Sequence, residues 1–178
     1  MQLKDYTKAS TLAKEVIDSK RYSLVVISST REFEKIFGPD VVNSSEEIFY
    51  FKSTRTAGWE FVMFCSHPNA IINGNKMHGA GGWFGLYTRS DNKIYKDWPD
   101  TDLRKSYNAL KLDLGLGFES FIPTKFYDPL APGSGTAGNS NPVLRYPDLL
   151  FTYAVAQNEL NIVAETQKRY ELNEKSAP

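Results

Sequence analysis

The 178-residue sequence predicts a mainly α domain with long irregular loops and a few short strands. Three observations carry that prediction. Apolar residues recur at spacings of three and four near both ends of the chain, the period of an amphipathic helix. Windows rich in glycine, proline and asparagine lie between them and forbid long regular elements. A few aromatic and β-branched runs are short enough to be strands.

Residues 3–18 read as the first helix, with Leu3, Tyr6, Ala9, Leu12, Ala13, Val16 and Ile17 on one face. A short helix follows over Thr30 to Phe37, capped by Thr30, with Phe33, Ile36 and Phe37 inward and Gly38-Pro39 as its stop. Glu46 to Phe51 reads as a strand, with Trp59 to Phe64 as its partner. Residues 66–82 hold one Pro, four Gly and three Asn, which reads as a long exposed loop. Ser90 caps a short helix whose Ile94, Tyr95 and Trp98 face the core. Pro99 to Leu116 reads as a turn and then extended chain, Phe118 to Phe126 as a strand, and Asp128 to Pro142 as a loop. The second clear helix has Pro147 in its first turn and Leu149, Leu150, Tyr153, Ala154, Gln157 and Leu160 along one side, continuing after a break toward Leu172.

The bulk numbers narrow the function. Length and 41% apolar content fit one globular domain, residues 1–178, with a sizeable core. Lys+Arg and Asp+Glu are 21 each, so the basic excess of a nucleic-acid binder is missing. Cys65 is a single cysteine and makes no internal disulfide. No apolar run has the length of a membrane span. The chain opens almost directly into a helical pattern with no secretion signal, which reads either as a portion of a longer protein or as a cytosolic chain with an abrupt start.

Motifs that suggest chemistry fail on context. Gly133-Ser134-Gly135-Thr136-Ala137-Gly138 is a literal G-x-G-x-x-G, but Pro129 and Pro132 precede it and Pro142 follows. No helix can open where a pyrophosphate would need its N–H groups, so the stretch reads as a loop. Cys65, His67 and His78 lack the spacing of a zinc site, and no cofactor is expected. A Cys65–His67 nucleophile pair is conceivable on one strand face, against the plainer reading of a small buried thiol beside a loop histidine. The carboxylates show no paired arrangement; Glu46 and Glu47 would point to opposite faces of a strand. The aromatic residues point elsewhere. Trp59 and Trp83 are flanked by glycine, and Trp83 lies near Asn73, Asn75, His78 and Tyr87. A flat ring covers the C–H face of a sugar, while amides and imidazoles bond its hydroxyls. These six residues form the candidate ligand site.

The stretch Thr124-Lys125-Phe126-Tyr127-Asp128-Pro129, a Gly/Asn loop, and then Asn141-Pro142-Val143-Leu144-Arg145-Tyr146-Pro147-Asp148-Leu149-Leu150-Phe151-Thr152-Tyr153-Ala154-Val155-Ala156-Gln157-Asn158-Glu159 resembles the SusD/RagB family of Bacteroidetes surface lipoproteins. Asp102-Leu103-Arg104, Asn43 to Phe51 and Lys8 to Leu24 are similar to further segments of that family, in the same order along the chain. Pro147 replaces a usual Ala, Val155 replaces a usual Glu, and Asn161 to Pro178 departs from the pattern.

The resemblance implies a SusD-like, tetratricopeptide-like α/α superhelix, present here in part, with long loops presenting a ligand site. It implies non-catalytic binding of a nutrient glycan at the outer-membrane surface, within polysaccharide utilisation. Its partner would be a SusC-like TonB-dependent transporter, and its only membrane attachment a lipid anchor that this chain does not contain. Lys125, Asp128, Arg145 and Asp148 read as charges that pin the loop to the helix, with Asp102 and Arg104 also structural. Two other readings compete: a glycan-processing enzyme, and a module that mainly docks on the transporter.

Overall fold

The first helix forms where the apolar period and a capping carboxylate coincide. In the computed structural model, which describes residues 4–57, 66–77, 85, 87–132 and 136–175 and their side chains as far as residue 164, α1 spans Tyr6–Asp18. Asp5 caps it by accepting the Lys8 amide at 3.0 Å. Ser10 and Ala13 are its buried positions, whereas Leu12, expected inward, is half-exposed. Lys20 takes the left-handed conformation (φ 52°) that turns the chain out of the helix.

The chain divides into two compact units. The first contains Met1–Leu24, Ser45–Phe49 and Leu144–Pro178. Its second long helix, here α5, runs Tyr146–Lys175 for 30 residues without the expected break. α1 packs along it. Each helix contributes a fully buried alanine, Ala13 and Ala156, and such small side chains let helices approach closely. Gln157 Nε2 donates to Ser10 Oγ at 2.7 Å across the pair. Ala156 takes the inward place expected of Ala154, which is exposed. At the start of α5, the Tyr146 ring stacks on Tyr22 at 6.3 Å. The Tyr146 amide donates to the Glu46 carbonyl at 2.8 Å.

The second unit, Val25–Ser44 with Tyr50–Val143, is assembled from short pieces. A 3-10 turn over Thr30–Phe33 runs into α2, Glu34–Phe37, and the cap is Ser29 rather than Thr30. Strand β1, Glu47–Phe51, pairs among the described residues with β7, Asn141–Arg145; Glu47–Phe49 and Leu144–Arg145 of these strands are counted with the first unit. The partner expected from sequence, Trp59 to Phe64, lies outside the described residues. β2 (Ile71–Ile72) and β3 (Asn75–Lys76) form a hairpin whose turn residues Asn73 and Gly74 both have positive φ, 52° and 80°. That is the handedness a two-residue hairpin needs. Residues 66–77 are therefore not simply an exposed loop: Ala70 and Met77, on either side of the hairpin, are buried with Leu114 and Ile122. A second cluster gathers Ile36, Phe37 and Phe126, with Phe33 and Tyr107 packed against it.

β4 (Thr88–Arg89), β5 (Ala109–Leu112) and β6 (Ser120–Pro123) make an antiparallel sheet in the order β4-β6-β5. β6 is central, and its Ser120, Phe121 and Ile122 are all buried. α3 (Lys93–Asp97) is capped by Asn92 rather than Ser90; its Ile94, expected in the core, is 80% exposed, while Tyr95 stacks on Phe121. Pro99 to Leu116 holds a helix that the sequence reading missed, α4 (Leu103–Asn108), directly before β5.

The mainly α expectation is thus overturned, and with it the tetratricopeptide-like α/α superhelix. Among the described residues, long helices number two, the other three have four to six residues, and seven strands of two to five residues form small sheets. The physical reason is that the stretch between the long helices never sustains a helical period. Its apolar residues come in short runs cut by Asn-Gly and Gly-x-Gly, which favour hairpins instead. Among these residues no helix is long and apolar enough to cross a membrane.

Candidate ligand site

The loop joining β5 to β6 is short and glycine-rich, and it shapes an open recess of the second unit. Gly115 and Gly117 take positive φ (74° and 77°), which a side chain would strain. The Asp113 carboxylate accepts the Gly115 amide at 2.8 Å and fixes the turn. An open cavity of about 640 Å³ results, lined by Lys111, Leu112, Asp113, Gly115, Gly117, Phe118 and Glu119. Lys111 and Glu119 form an ion pair across the hairpin.

Phe118 joins this cavity to a ridge of rings. Tyr87, 44% exposed, lies 5.9 Å from Phe118 and 5.9 Å from His67, the latter edge-on at 80°. The Arg89 guanidinium lies over the Phe118 ring at 4.6 Å. Gly85 lets the backbone approach His67: a Cβ there would sit 3.0 Å from His67 Cδ2, and its φ is 66°. His67 Nδ1 accepts the Asn69 amide at 3.1 Å, which leaves Nε2 as the nitrogen that can donate.

Asn73 and Asn75 belong to a different place. Asn73 lines a smaller cavity of about 230 Å³ with Thr30, Glu34, Tyr107 and Tyr127. Asn75 Nδ2 donates to the Asn73 carbonyl at 3.2 Å within the hairpin. Desolvation raises the Tyr107 hydroxyl far above its ordinary range, so this ring is a neutral wall. Trp59, Trp83 and His78, and with them Cys65, lie outside the described residues. The structure brings Tyr87 to Phe118 and His67, and puts the two asparagines on the other cavity.

The charged residues singled out from sequence have partners that the sequence did not name. Asp128 is fully buried, and Arg55 grips it through Nε and Nη2, the latter at 2.9 Å. Its two oxygens also accept the Leu130 amide at 3.1 Å and the Gly138 amide at 2.8 Å. Arg55 reaches Asp40 as well. Lys125 lies over the Phe37 ring at 3.9 Å. The Asp148 carboxylate accepts the Arg145 amide at 2.8 Å, a cap on α5, while the Arg145 guanidinium turns to the buried Glu46 at 3.4 Å. Asp102 caps α4 through the Arg104 amide and also accepts the Trp98 indole N–H at 3.0 Å. The Arg104 guanidinium bonded to it, with help from Trp98, holds the Asp102 carboxyl well below the usual carboxylate range.

Phe118, Lys111, Asp113 and Arg55 escaped the sequence reading. The Asp113-Leu114-Gly115-Leu116-Gly117 run between two apolar segments was the available signal for the first three, since it marks a hairpin connection. For Arg55 no local signal exists, because its partner lies 73 residues away.

No protein-family profile and no curated protein matches the sequence. The fold, however, has solved counterparts. Two structures of surface glycan-binding protein A from Bacteroides thetaiotaomicron, one of them in complex with laminarihexaose, match with a TM-score of 0.61 at 18% and 19% identity. They cover 87% of this chain, which spans 40% of the length of those proteins. At such identity the likeness establishes the fold alone.

Proposed function

We propose that this chain binds an oligosaccharide without transforming it, as part of a cell-surface protein that hands a nutrient glycan to a TonB-dependent outer-membrane transporter. One observation carries the reading: the half-exposed Tyr87 ring set against Phe118, which lines a cavity of about 640 Å³. The flat rings suit the C–H faces of a sugar. The polar ends of Lys111, Asp113 and Glu119 suit its hydroxyls. The fold likeness supports the same reading, since one neighbour was solved with laminarihexaose bound.

In this reading Trp59, Trp83 and His78, which lie outside the described residues, are further ligand contacts, and Asn73 and Asn75 serve a second contact at the smaller cavity. Lys125, Asp128, Arg145, Asp148, Asp102 and Arg104 are structural, holding loops and helix starts in place. The docking reading draws on a different observation: Phe151, Val155 and Val163 of α5 are 72%, 41% and 60% exposed. Exposed apolar side chains on one helix suit a protein partner.

Calorimetric titration of the chain with a panel of neutral oligosaccharides that includes laminarihexaose tests the proposal, with chromatography of the recovered sugar alongside. Saturable binding of at least one glycan with the sugar recovered intact is the expected result. Shortened products would replace the binder by an enzyme, and silence across the panel would leave the docking reading.

A further inference from the structure

We infer that the cavity lined by Phe118 selects a neutral oligosaccharide over an acidic one, and that Asp113 sets the preference. The inference rests on the glycan-binding reading above. Among the described residues, Lys111 lines the cavity and Arg89 covers its aromatic wall, and both are already engaged. Lys111 is paired with Glu119 across the β5–β6 hairpin. Arg89, stacked on Phe118, holds Asp91 with two nitrogens at 3.2 and 3.3 Å. A carboxylate or sulfate on a sugar would have to break one of these pairs to gain a cation. Asp113, by contrast, forms no ion pair among the described residues; its Oδ1 accepts the Gly115 amide. Among the residues that line the cavity, one cation, Lys111, stands against two carboxylates, Asp113 and Glu119, which leaves one negative charge there.

The Lys111 hydrogen bond draws Glu119 below its ordinary range, and the Arg89 hydrogen bond does the same for Asp91. Ionised carboxylates accept hydrogen bonds from sugar hydroxyls and offer nothing to an anion. A sugar carboxylate about 6 Å from one unpaired charge loses about threefold in affinity at the dielectric of water, and about tenfold where the site is half dried. The penalty shrinks as salt shortens the screening length.

The test compares laminarihexaose with its C6-carboxylated form, so that length and linkage are held constant and only charge differs. Titration of the intact chain at low salt is expected to show the carboxylated sugar about threefold to tenfold weaker. That ratio should fall toward one in half-molar salt. Asp113→Asn should narrow the ratio, and Glu119→Gln, which releases Lys111, should narrow it further or reverse it. Equal or tighter binding of the carboxylated sugar at low salt would overturn the inference while leaving glycan binding intact. A ratio unmoved by salt and by both substitutions would overturn it too. Failure of both sugars and of the wider oligosaccharide panel would bring down the glycan-binding reading itself.

Discussion

In the unit built on α1 and α5, order comes from two long helices, of 13 and 30 residues, whose apolar stripes close on one another. In the other unit, elements of two to six residues are held by contacts between residues far apart in sequence, above all the grip of Arg55 on the buried Asp128. The difference teaches where recognition can be built. A helix pair is specified by period and presents a regular surface. Short strands joined by positive-φ turns leave recesses, and such a recess gathers Phe118 and its charged neighbours.

Breaking the polar lock should do the most damage. Arg55→Met leaves the carboxylate of Asp128 buried without its cation, and removing one partner of such a pair costs about 3 kcal/mol. Urea unfolding checks this, and a loss under about 1 kcal/mol would mean that the second unit does not depend on the lock. Next comes the helix pair: Ala156→Leu forces a larger side chain into a site with 0% exposure and should cost about 2 kcal/mol by overpacking. Hydrogen exchange should localise that loss to α1 and α5, and protection lost mainly around β5 and β6 would contradict the division of labour drawn here.

The hairpin turn gives a smaller, cleaner effect. A Cβ at Gly74 would meet nothing within 4 Å, yet its φ is 80°. Gly74→Ala should therefore cost about 1 kcal/mol through backbone strain alone. Thermal melts that show no change would mean the turn relaxes freely. The smallest effect is acid sensitivity at the 3-10 turn. Glu32, bonded by Lys35 and by Ser28, has its carboxyl lowered from the ordinary 4.5 to about 2. A carboxylate depressed in the folded state contributes stability that is full above its unfolded pKa. That contribution fades as the pH falls from about 4.5 toward about 2. Glu32→Gln should flatten the stability profile in that window, and an unchanged acid limb would show that the bond forms equally in the unfolded chain.

The same contrast explains what the sequence made legible. The period of Tyr6, Ala9, Ala13, Val16 and Ile17, and that of Leu149, Tyr153, Gln157 and Leu160, is long enough to locate both helices. α4 has six residues, less than two turns, and no period can show in so little chain. Asn73-Gly74 was a readable hairpin signal, hidden by the glycine and asparagine content around it. For Asp128, Arg145 and Lys125 the sequence shows a charge and not its partner, because Arg55, Glu46 and the Phe37 ring are brought in by the fold. At the candidate site Tyr87 was singled out as an aromatic, but only the fold puts it against Phe118.

That contact is also where the account is most exposed. Tyr87 is 44% exposed, so Tyr87→Ala removes a ring from the proposed sugar platform with little effect on the core. Titration of the wild-type and variant chains with the tightest oligosaccharide of the panel should show affinity weakened about tenfold, or about 1.4 kcal/mol, at an unmoved unfolding midpoint. Undiminished affinity in a fully folded Tyr87→Ala chain would contradict the placement of the glycan on this ridge.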